Sequence, residues 1–212
     1  ITGSSFSGST LTGTDFSSSI GFNTVNIEDA VLKGINLTGL NLSNKDFSTL
    51  NLKGAIFKDT NLTNTKFTGA YVIQADFTNA NLTNTEFKKA YLDKVIFSNN
   101  IFSGTNFESA KLELTDLSEV NFNGLNFKYA IFKKNNLSGL NLSGGNFSYA
   151  NFNQGNLSGA NLTGGNFGNA DFRFSNLTTA NLTGANFFGT FLLNTDRAGV
   201  TLSGTNFDGA LG

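Results

Sequence analysis

From Phe22 to Leu192 an apolar residue falls at every fifth position without a miss: 17 Phe, 16 Leu, Ile27 and Val72. Neither an α-helix, with its period of 3.6, nor a strand, with its period of 2, reuses a position in this way. A strict short repeat over such a length belongs to a solenoid whose successive turns are built from one small unit. It predicts a continuous core in a chain of which only 39% is hydrophobic.

We call the recurring apolar residue the centre. The residue before it is usually Asn or Asp, as in Asn61-Leu62, Asp76-Phe77 and Asp171-Phe172. The residue two before is often small, as at Ala70, Ala80, Ala150 and Ala170. Ser, Thr or Lys commonly follows the centre, and Gly or Asn commonly follows that. Ala160-Asn161-Leu162-Thr163-Gly164 is repeated at Ala180-Asn181-Leu182-Thr183-Gly184. This pattern resembles the pentapeptide-repeat family over essentially the whole chain. The resemblance implies an all-β fold, a right-handed quadrilateral β-helix with four pentapeptides per square coil.

Residue types sort independently at the spacing of such a coil. Phe47, Phe67, Phe87, Phe107, Phe127, Phe147, Phe167, Phe187 and Phe207 form one column at intervals of 20, here called face 2. Face 1 holds Phe22, Leu42, Leu62 and their successors; faces 3 and 4 start at Leu32 and Leu37. Coils stacked at the strand spacing of about 4.8 Å make a rod of about ten coils, roughly 50 Å long. Centres and the small residues two before them are expected inside, and the other three positions outside. The expected organisation is one domain over residues 1–212.

Two places depart from the register. The centres Ile1, Phe6, Leu11 and Phe16 are five apart, but Phe22 comes six later, so one extra residue lies within 17–21 and predicts a bulge. At the other end the centre is Arg197, the one charged centre. Because an unpaired buried guanidinium is costly, either the coil opens near 196–199 or Arg197 points outward, and a register disturbance near 196–199 is the expectation. Lys45 occupies an inward position and is expected to snorkel through a corner into water.

Composition excludes much chemistry. There is no His and no Cys, which removes the usual general base, the thiol nucleophile and the favoured transition-metal ligands. Ser and Thr are plentiful but lack a partner base. No catalytic residue, metal ligand or cofactor is therefore assigned, and the chain is read as not an enzyme. The 14 basic residues oppose 15 acidic ones, so the basic stripe of a nucleic-acid binder is missing and no direct nucleic-acid binding is expected. No apolar run approaches the roughly 20 residues of a membrane helix. A soluble, cytoplasmic location is the expectation. With no Met and a start at Ile1, the sequence is expected to begin after the native N-terminus.

Three surfaces stand out. Face 1 carries no charged residue in its ten pentapeptides; it is either knitted by Asn and Thr ladders or a flat neutral docking face. Tyr71, Tyr91, Tyr129 and Tyr149 lie around the corner between faces 2 and 3, and Ile131 and Phe191 share the outward row of Tyr71 and Tyr91. These six are the candidate contacts for a protein partner; the other reading is a corner stapled by stacked rings. The ends are the third surface, because open strand edges invite a homodimer through a solenoid end.

The leading expectation is a non-enzymatic interaction scaffold. The family resemblance adds an alternative, since some members bind DNA gyrase or topoisomerase by imitating the shape and charge of duplex DNA. A third class is ice or flat-crystal binding by face 1.

Overall fold

The computed structural model describes all residues except Asp116, Ser118 and Glu119. They group into two compact units, Ile1–Asn106 and Phe107–Gly212. Each unit is a right-handed quadrilateral β-helix.

The five-residue period follows from one turn repeated. The carbonyl of most centres accepts the N–H three residues on, as from Ala70 to Phe67 at 3.0 Å and from Ala130 to Phe127 at 2.9 Å. The residue two after the centre has a positive φ, near +65° at Gly34 and +57° at Asn64. That is the left-handed third residue of a type II turn, which favours Gly and Asn. It bends the chain through a corner every five residues.

Between corners most sides supply one parallel bridge, such as Glu86 with Lys66 and Asn161 with Asn141. In the regular pattern a centre donates to the carbonyl 19 residues on, as from Phe67 to Glu86 at 2.7 Å. The residue before a centre donates to the carbonyl 21 residues back, as from Glu86 to Thr65 at 2.9 Å. Proline, absent from the chain, would break this ladder at almost any such position.

From Phe22 to Leu192 every centre is buried, whereas Ile1 and Leu202 are exposed and Phe207, expected in the core column, is only partly buried. The face 2 phenylalanines stack within each unit. Phe67 lies 5.0 Å from Phe87 with planes 10° apart, and Phe127 lies 5.2 Å from Phe147 with planes 3° apart. Their second aromatic neighbours differ between the units. In the first, the face 4 rings Phe57 and Phe77 meet face 2 edge-on, Phe57 to Phe67 at 5.4 Å and 88°. In the second, the adjoining face 3 supplies Phe132, Phe152 and Phe172, tilted at 57° in the pair of Phe127 and Phe132.

The extra residue near the start has a visible effect. Ser5, Thr10 and Asp15 bridge Asn26, Val31 and Asn36, an offset of 21, whereas every later offset is 20. Gly21 (φ 81°) leads into a single 3-10 turn, Phe22–Thr24. A side chain at Gly21 would run into Thr2, 2.1 Å from its hydroxyl oxygen.

Two expectations are corrected. The register near 196–199 is undisturbed: Asp196 bridges Asn176, and Thr179 donates to the Ala198 carbonyl at 2.8 Å. Arg197 is instead exposed, beside Leu192, Leu202 and Phe207. Its guanidinium stays hydrated there without the coil opening. Lys45 does not snorkel into water. It is 7% exposed, and its ammonium donates to the carbonyls of Val25 and Asn23. Burial lowers its pKa.

Candidate partner-binding surfaces

The outward positions show what the backbone asks of a side chain. An Asn or Asp before a centre accepts from the N–H two residues on. In Asn81 this bond is 3.0 Å, and the Thr83 hydroxyl adds a second donor at 2.6 Å. The Asn amide then donates to the same residue one coil back, as from Asn61 to Asn41 at 3.2 Å and Asn161 to Asn141 at 3.3 Å. On face 1 these ladders use both ends of the Asn side chain, so the polar rows have a structural job of their own.

Against that background the tyrosines are out of place. Tyr71 and Tyr91 occupy the row where Asn normally sits, and their rings stack at 4.6 Å and 7°. Tyr71 remains 45% exposed. Tyr129 and Tyr149, in the second unit, take the left-handed corner position itself, each with φ 61°. They stack at 4.9 Å and 22°, and the Lys128 ammonium lies 5.1 Å from the Tyr129 ring centre. Both are about half exposed. Non-glycine residues in this conformation cost roughly 1–2 kcal/mol, and the fold offers Gly or Asn as cheaper solutions at equivalent corners.

Ile131 and Phe191 share a row but are not neighbours: Asn151 and Asp171 intervene in the bridge series. The structure places Phe191 in a different group. It bridges Leu211, and the Arg173 guanidinium lies over its ring at 5.8 Å. Phe174 donates its N–H to the Leu193 carbonyl at 3.0 Å, and Phe188 lies around the corner before Phe191. Phe174, Phe188, Phe191, Leu193 and Leu211 are all substantially exposed. Four of these five were missed from sequence. Their signal is an apolar residue at an outward repeat position, which Phe174 strengthens with φ 61°.

Ion pairs brace the outer rows. Arg173 meets Asp171 through two bonds of 2.9 and 2.8 Å, and Lys58 lies 3.1 Å from Asp76. Burial pushes the Asp171 carboxyl up, but the Arg173 guanidinium and N–H outweigh it and hold the pKa below the ordinary value. In Asp76 burial is likewise overcome, by the Thr78 hydroxyl and N–H and by Lys58. Among the described residues no group of three or more carboxylates is placed to hold a metal ion. Among them, too, no helix is long and apolar enough to cross a membrane.

The chain matches the family model for a pentapeptide repeat region over residues 70–144. It matches the model for pentapeptide repeats (8 copies) over 30–69, 132–164, 155–194 and 175–211. Among solved structures it is similar to HetL of the cyanobacterium Nostoc, a pentapeptide repeat protein involved in heterocyst differentiation regulation. The identity is 23%, covering 100% of this chain and 88% of that one, with a TM-score of 0.44. It is also similar to QnrB1, a plasmid-mediated fluoroquinolone resistance protein, at 18% identity over 97% and 90% of the two chains, TM-score 0.45. A pentapeptide repeat protein of the Arabidopsis thaliana thylakoid lumen is 21% identical over 72% of this chain and 68% of that one, TM-score 0.26. No curated protein matches the chain.

Proposed function

Because this chain belongs to the pentapeptide-repeat family, we propose that it is a non-enzymatic interaction scaffold, a β-solenoid that presents outward residue rows to a protein partner. One observation carries the reading: Tyr129 and Tyr149 hold half-exposed, stacked rings on left-handed backbone. The core needs nothing from these side chains, and the corner would be less strained without them. Aromatic rings held at low entropy on a rigid surface are what protein interfaces use as anchors. Tyr71 and Tyr91 form a second pair in the first unit, and Phe191 sits in an apolar group that suits the same role. Ile131, two residues after Tyr129, is a further candidate partner contact. The absence of His and Cys supports the non-catalytic side of the reading.

The test is affinity capture from the source lysate with the wild-type chain and with Tyr129→Gly/Tyr149→Gly. A partner retained by the wild type and lost by an equally folded variant supports the proposal. A partner retained equally by both removes these tyrosines from it.

The DNA-imitating alternative requires a strongly acidic surface, and a net charge of −1 counts against it. Inhibition of gyrase supercoiling by the purified chain would reinstate it. For ice or flat-crystal binding by face 1, thermal hysteresis is the deciding measurement. The Asn ladders already engaged between coils favour the knitting role. A homodimer through a solenoid end is the proposed self-association, read by light scattering.

A further inference from the structure

On face 2 of the first unit the ladder between two successive coils is open. The regular pattern, seen at Phe47 to Lys66 and Thr49 to Thr68, would have Ile27 donate to Asp46 and Asp29 donate to Ser48. Neither bond is present among the described residues, and the Ile27, Asp29 and Asp46 amides have no acceptor there. The carbonyl of Asp46 has no donor, and that of Ser48 has only the neighbouring Thr49 hydroxyl. The cause is local. The 3-10 turn at Phe22–Thr24 precedes this side, and the Lys45 ammonium takes the Val25 carbonyl that the Asp46 amide would use in the regular register. The result is a cleft of about 520 Å3 between residues 23–29 and 44–50.

We propose that this cleft binds a cationic peptide segment in extended conformation, inserted as a parallel strand between the two coils. One wall offers amide donors at Ile27 and Asp29, two residues apart, which is the repeat of a strand. The other offers carbonyl acceptors at Asp46 and Ser48 with the same spacing. A strand running in the direction of the coils accepts from the first wall and donates to the second, completing both half-ladders; this is recognition by β-augmentation. The charge of the occupant follows from the walls. Glu28, Asp29 and Asp46 line the cleft, and none is in an ion pair among the described residues. The one cation, Lys45, is already held by two carbonyls. The net negative lining disfavours an acidic segment and selects a basic one. The site shares no residue with the tyrosine pairs, so either proposal can fail without the other.

The probe is an N-acetylated, C-amidated heptapeptide of alternating Lys and Val, titrated against the full chain by amide-resolved NMR. Saturable binding is expected, with the largest shifts at the Ile27, Asp29 and Asp46 amides. The variant Glu28→Gln/Asp29→Asn/Asp46→Asn, which keeps every backbone group, should bind about tenfold more weakly, since three exposed charge pairs together amount to about 1.4 kcal/mol. A peptide N-methylated at alternate residues lacks the donors for Asp46 and Ser48 and should not bind. Equal binding of the methylated peptide, equal binding of a Glu-for-Lys peptide, shifts confined to other residues, or no binding at millimolar peptide would each overturn the proposal.

Discussion

The rings of Phe147 and Phe167 stack with centroids 5.0 Å apart and planes 2° from parallel. Phe147 is held equally from the other side by Phe127. Phe147→Ala removes a fully buried ring from a lattice of repeating coils that cannot collapse locally. It should lower stability by about 3–5 kcal/mol. Phe107→Ala, at a ring stacked 4.7 Å from Phe127, should cost a similar amount. Urea unfolding is the measurement, and a loss below about 1 kcal/mol would contradict a packed column.

Alanine is the frequent residue two before a centre, yet it does not fit everywhere. A methyl group at Gly145 would lie 2.5 Å from Cε2 of Phe147, and one at Gly165 would lie 2.6 Å from Cε2 of Phe167. Those ring edges are wedged between their stacked neighbours. Gly145→Ala and Gly165→Ala should therefore destabilise by about 1–3 kcal/mol through overpacking. A rise in melting temperature for either variant would show that the rings yield.

Tyr129→Gly and Tyr149→Gly separate folding from recognition. Glycine relieves a left-handed conformation worth roughly 1–2 kcal/mol and gives up a ring pair worth roughly 0.5–1.5 kcal/mol. The two effects nearly cancel, so the melting temperature should move by only a few degrees. Partner capture should be abolished. A large drop in melting temperature would assign the tyrosines to holding the corner.

Acid should loosen the outer rows. Asp76 and Asp171 have pKa values below the ordinary 3.8, so the folded state binds protons less readily than the unfolded chain. Their contribution is complete above that ordinary value and is lost as pH falls through the lower folded values. Stability should thus stay level toward pH 5 and decline below about pH 4. Asp76→Asn combined with Asp171→Asn should flatten the decline. An unchanged acid profile in that double variant would assign the decline to other carboxylates.

The five-residue period announced a solenoid with inward centres, and the sorting of residues at intervals of 20 agreed with the square coil that the family resemblance implied and paired the tyrosines. They suffice because each coil repeats its neighbour, so sequence spacing translates directly into spatial contact. What escaped were consequences of breaking that rule. One residue added before Phe22 precedes a break in the next ladder, whose donors at Ile27 and Asp29 have their regular partners 19 residues on, at Asp46 and Ser48. Only the assembled coils show that Lys45 then occupies the orphaned Val25 carbonyl. The choice between an opened coil and an outward Arg197 likewise needed the coordinates, because both keep the guanidinium in water. The apolar group around Phe191 draws on three successive coils and two faces, a neighbourhood that no window along the chain contains. The repeat determined which way each side chain faces; the stacking of coils decided which of them remain open to a partner.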